Sequence, residues 1–93
     1  MSDEFQQLEL LDLEIESILR FFIGVLSTKS LQYLGVQVKE GEEPEKDLQK
    51  ARLAIDTTSM IIEKLEPFIE QEEHTQMKQV VSNLQFSYLR ESS

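Results

Sequence analysis

Cysteine is absent from the chain, so neither a disulfide framework nor a thiolate metal site can be built. Three glycines and two prolines in 93 residues leave little material for turns and argue for few, long elements. Long apolar runs are missing too. The longest, Phe21–Leu26, falls far short of the ~20 residues that a membrane span needs. The N-terminus lacks a basic start followed by an apolar stretch and a small-residue cleavage site. A cytoplasmic protein with no membrane association is the expectation. Bases are absent from residues 1–19, which carry Asp3, Glu4, Glu9, Asp12, Glu14 and Glu16, while the whole chain has a net charge of −9. An acidic protein repels phosphate, which argues against nucleic acid and anionic lipid as partners. The acidic run reads either as a solvated helix face or as a surface that meets a basic partner.

What is present favours helix. The chain is 40% hydrophobic and 29% charged, a globular rather than a disordered balance. Leucine, glutamate, glutamine and lysine are plentiful and valine is scarce. A single domain, residues 1–93, is expected, burying only roughly 60–65% of its unfolded surface. Its clearest stretch is Asp47–Glu66, where Leu48, Ala51, Ile55, Thr58, Ile62 and Leu65 recur at steps of three and four. Ala54 and Ile61 widen that stripe enough for a helix that packs on more than one neighbour. Pro44 suits a first helical turn, and Pro67 forces the residue before it out of helical geometry. The central helix is therefore expected over residues 45–66.

Before it, Phe5, Leu8, Leu11, Ile15, Ile18, Phe22 and Val25 form a stripe that Leu26, Ser30 and Tyr33 continue after a shift of one residue. That spacing predicts a long first helix over residues 3–34. Within it, Leu11–Glu16 also alternates as an amphipathic strand would, but no turn signal isolates those six residues. Gly24 implies a closely crossing neighbour or a bend, and Gly35 a left-handed helix end. Residues 35–43 read as a loop. After Pro67, Phe68 and Ile69 form a short apolar linker expected to tuck into the core. A third helix follows over residues 70–89, with His74, Met77, Val81, Leu84 and Tyr88 as its stripe and Val80 beside it.

Three runs carry a resemblance: F-x-x-V-L-x-x-x-S-L-x-x-L-G over Phe22–Gly35, A-x-x-x-I-D-x-x-x-M-I-x-x-K over Ala51–Lys64, and L-x-x-x-Y over Leu84–Tyr88. Together they resemble a family of small bacterial helical proteins classified as domain of unknown function 1844, across roughly residues 22–89. Ala51, Arg52, Ile55, Asp56, Met60 and Lys64 stand in its most specific part. The resemblance implies an all-helical bacterial cytoplasmic protein and no established activity. The chain departs from the family pattern in two places. Glu66–Glu70 stands where a K-G-N-L-T type turn is usual, and Leu84-Gln85 where L-R is. The acidic segment before Arg20 lies outside the resemblance.

Candidate chemistry is thin. Arg52 and Asp56, four residues apart, can pair on one helix face, which reads as a structural ion pair before it reads as catalysis. His74, the only histidine, lies on an apolar stripe with Glu70 four residues before it. Two potential ligands do not make a metal site, and Gln71 stands where the Glu-x-x-His motif of di-iron bundles needs glutamate. None of the serines lies in a G-x-S-x-G elbow, and no glycine-rich phosphate loop is present. Phe68, Phe86 and Tyr88 read as core or interface aromatics. No cofactor, metal or catalytic residue is assigned.

The sequence thus predicts an all-α arrangement of three helices completed by dimerisation. A protein–protein interaction or homodimeric module is the leading function. A small ligand-binding or enzymatic bundle using Asp56, Arg52 and His74 is the alternative, favoured if those side chains converge on a cavity. A first helix of about 48 Å would overhang its ~30 Å neighbours by some twelve residues. Phe5, Leu8, Leu11, Ile15 and Ile18 would then form the interface with a second copy, or with another protein. A break near Ser17 would instead fold that segment onto its own core.

Overall fold

The computed structural model describes residues 9–93. Among the described residues, Glu9 and Leu10 are helical, and three full α-helices then follow one another, α1 (Ile15–Tyr33), α2 (Leu48–Leu65) and α3 (Gln71–Ser92), with a 3-10 turn at Glu66–Phe68 before α3. Among the described residues there is no strand. Helix α2 is the centre of the domain: it packs against both α1 and α3 more extensively than these pack on each other.

The anticipated stripe of α2 is its buried face. Ala51, Ala54, Ile55, Thr58, Ile62 and Leu65 are all buried, and Leu48 and Ile61 are partly so. Thr58 lies inside at no cost in unmet polar groups, because its hydroxyl donates to the Ala54 carbonyl at 2.7 Å. Ser30 of α1, also wholly buried, does the same to Leu26 at 2.8 Å. The start of α2 differs from the sequence reading. Pro44 and Glu45 remain in the loop, and Asp47 caps the helix by accepting from the Lys50 amide at 3.1 Å. The Asp47 amide in turn donates to the Tyr33 carbonyl at 2.9 Å, clamping the loop to the end of α1.

Helix α1 requires two corrections. It begins at Ile15, not near Asp3: the chain makes a turn through Leu11–Leu13, closed by bonds from Asp12 to Glu9 and from Leu13 to Leu10. The alternating run Leu11–Glu16 is therefore neither a strand nor a helix interior. At 19 residues α1 matches α2 at 18, so the described part of the first helix does not overhang. Phe5 and Leu8 lie outside the described residues. The second correction concerns which side is buried. Ile23, Ser30 and Leu34 form the buried line, with Leu19, Leu31 and Tyr33 packed beside it. Phe22 and Val25, expected inside, remain 41% and 43% exposed. Residues 18–26 are apolar on almost every side, so two stripes of helical period overlap there, and periodicity alone does not say which one meets α2.

The end of α1 is as anticipated. Gly35 has φ +99°, and the amides of Gly35 and Val36 donate to the carbonyls of Gln32 and Leu31, the pair of bonds that closes a Schellman turn. Helix α3 buries His74, Val81 and Leu84, with Met77 and Tyr88 partly covered, as its stripe requires. Ile69 packs against the core, whereas Phe68 is 66% exposed and does not tuck in.

Candidate functional site

Arg52 and Asp56 lie one turn apart on the outer side of α2. Their side chains approach to 3.7 Å, and both are largely exposed. They border an open groove with Gln85, Tyr88 and Leu89 of α3. His74 belongs to a separate groove along with Ser59, Glu63, Glu66 and Lys78. The three side chains of the enzymatic alternative therefore do not converge on one cavity. Asp56 is spent on its neighbour, in the structural pairing that its spacing from Arg52 suggested.

The role of His74 follows from the end of α2. The helix tightens at Glu66, whose amide donates to Glu63, and the Ile62 carbonyl instead meets the imidazole Nε2 at 3.2 Å. A buried carbonyl in a last helical turn needs such a donor, so the imidazole ties α3 to the end of α2. Its other nitrogen, Nδ1, is buried without a hydrogen-bond partner and stands 4.0 Å from the Glu66 carboxylate. Sequence spacing pointed to Glu70 as the companion acid. Glu66 was missed because the 3-10 turn, not a helical repeat, brings it to His74. Among the described residues no three His, Asp or Glu side chains are grouped so as to hold a metal ion.

Two exposed ion pairs fasten the ends of the domain. Arg20 of α1 grips Glu73 of α3 through two bonds, of 2.7 and 3.0 Å, and Lys46 meets Glu91 at 2.6 Å. The Arg20 hydrogen bonds hold the Glu73 carboxyl below its ordinary value, and Glu73 raises the Arg20 guanidinium in return. Lys46 lowers the Glu91 carboxyl in the same way.

The outer side of α1 has no such partners. Ile15 is 65% exposed and Phe21 53%, and with Ile18, Phe22 and Val25 they line the side of α1 turned away from the buried line. Leu11 and Leu13, in the turn before α1, are exposed as well. Of the five residues anticipated as an interface, Leu11 and Ile15 are thus exposed and Ile18 half-buried. Beside this strip runs a groove of about 700 Å³ bordered by Arg20, Gly24, Thr28, Lys29, Val38 and Lys39. A Cβ added at Gly24 would touch nothing within 4 Å. No element of the described chain crosses there, so the close approach that the glycine suggested does not occur within the domain.

A small all-α domain with an exposed apolar helix face is what the fold and its surface define. The family model described as a domain of unknown function (DUF1844) matches residues 17–90, and the chain belongs to that family. The match takes in α2 and all but the outermost two residues of α1 and of α3, and leaves the acidic segment before Ser17 outside it. No match was found among curated proteins or among solved structures. No helix of the described residues is long and apolar enough to cross a membrane.

Proposed function

We propose that the protein acts as an association module, a homodimer joined through the outer face of α1. The observation that carries this reading is the contiguous run of Ile15, Phe21, Phe22 and Val25 left in water on one helix. Apolar residues exposed singly are ordinary, but a continuous strip marks a contact surface, and the strip on α1 is longer than the exposed pair Phe86 and Leu89 on α3. A second copy supplies the same strip, and a two-fold axis lets each face cover the other. The segregated core of α2 and α3 supports a structural role. So does the pairing of Arg52 with Asp56 on the outer side of α2, apart from His74.

Sedimentation equilibrium tests the proposal. A mass near twice 10.8 kDa is expected at micromolar protein. A monomer at every concentration up to the submillimolar range would overturn it, and would leave the face to a different protein.

A further inference from the structure

We infer that the two copies cross antiparallel, centred on Phe21 and Phe22, so that the acidic start of each α1 lies against the basic groove of the other. This rests on the reading of the outer face as a self-association surface and specifies its partner geometry.

Charge along α1 is polarised. Glu9, Asp12 and Glu14 precede its first residue and Glu16 lies in its first turn, whereas Lys29 lies near its end and Lys39 in the loop beyond, which also carries Glu40, Glu42, Glu43 and Glu45. The groove beside the strip is bordered by three bases, Arg20, Lys29 and Lys39; Arg20 is already held by Glu73 and Lys39 lies 3.9 Å from Glu42, which leaves Lys29. Lys29 leans over the Tyr33 ring at 4.9 Å and has no carboxylate partner among the described residues. A parallel pairing would set acid against acid at one end and base against base at the other. The antiparallel one sets opposite signs together at both ends, and like charges brought face to face are strongly disfavoured.

Pairing Glu14 with Lys29 sets the register. Glu14 and Lys29 are about 22 Å apart along the axis at 1.5 Å per residue, and the midpoint falls between Phe21 and Phe22. With the two-fold axis there, Phe21 faces Phe22 of the second copy, Ile18 faces Val25, Ile15 faces Thr28, and Glu14 faces Lys29. Every large apolar residue of the strip then meets an apolar or methyl-bearing side chain. Gly24 lies next to this centre, and the open space at its missing Cβ gives the second copy's aromatic rings a shelf to rest on. A glycine in an exposed helix interior costs about 1 kcal/mol relative to alanine. Close approach by a second helix gives that glycine a use that the isolated domain does not.

Charge reversal followed by mixing tests the geometry. The double variant Lys29→Glu with Lys39→Glu is expected to weaken the dimer by about tenfold or more. Asp12→Lys with Glu14→Lys should do likewise. Mixed together, the two variants are expected to form a heterodimer in preference to either homodimer, recovering the parental dissociation constant. Lys64→Glu with Lys78→Glu, the same change of charge placed elsewhere, serves as control. All of these side chains are exposed, and melting curves check that each variant is folded. Should Glu14→Lys disturb the N-cap of α1, Glu9→Lys with Asp12→Lys makes the same test. A parental chain that is monomeric refutes the association itself. A dimeric parent whose Lys29 and Lys39 reversals act no more strongly than the control, with no preferred heterodimer on mixing, overturns the antiparallel register and leaves the dimer standing.

Discussion

Ile62→Ala is expected to cost about 2–5 kcal/mol, the range for deleting a buried aliphatic side chain when its surroundings relax only partly. Ile62 is 2% exposed and stands in the cluster that α2 shares with Ile23, Leu65, Val81 and Leu84. A domain of this size holds roughly 5–10 kcal/mol of total stability, so one such cavity removes a large part of it. The midpoint of thermal unfolding should fall by roughly 10 °C or more. Ile55→Ala, at the same 2% exposure, should behave alike. Leu53→Ala changes the same helix at a position 67% exposed and should stay within about 0.5 kcal/mol of the parent. If the Ile62 and Ile55 variants melt like the parent, the buried face of α2 has been misassigned.

Phe21→Glu combined with Val25→Glu is expected to leave the fold intact and abolish the dimer. Both residues are about half exposed, at 53% and 43%, so replacing them removes little that holds the monomer together. Across the proposed interface they would be fully desolvated, and truncating a central anchor of that kind typically costs about 2–4 kcal/mol. That corresponds to a dissociation constant roughly 30- to 1000-fold weaker, before the repulsion between the new carboxylates is counted. Leu53→Glu with Met60→Glu charges an equally exposed pair on α2 and should leave association unchanged. Circular dichroism separates loss of the dimer from loss of the fold. A Phe21/Val25 variant that is helical and still dimeric would remove α1 from the interface.

The three helices differ in how plainly their sequences declare themselves. In α2 the buried apolar residues fall on one stripe and polar residues fill most of the rest, with Leu53 and Met60 exposed outside it, so Ala51, Ile55, Thr58, Ile62 and Leu65 could be read directly as core. Helix α3 is similar, with His74, Val81 and Leu84 inside. The sequence of α1 overlays two stripes, and the one continuous with Leu11 and Ile15 is the one that stays outside. Of its inner line, Ser30 falls on the continuation through Leu26 and Tyr33 that the sequence shows, whereas Leu19, Ile23 and Leu34 are legible only once α2 is in place. The turn at Leu11–Leu13 carries no glycine or proline, so nothing local announces it. The pairing of Arg52 with Asp56 could be read from spacing alone, because both partners sit on one helix. The meeting of His74 with Ile62 and Glu66 could not, because it is made across the 3-10 turn.

The absence of native cysteine makes one measurement especially direct. A single cysteine at Phe22, next to the proposed two-fold axis, is expected to form a disulfide between two copies under mild oxidation at micromolar protein. The same substitution at Met60, exposed on the outer side of α2, should remain largely uncross-linked. A Phe22→Cys chain that stays monomeric, or that cross-links no faster than Met60→Cys, would contradict an association of the outer faces of α1 centred at Phe22.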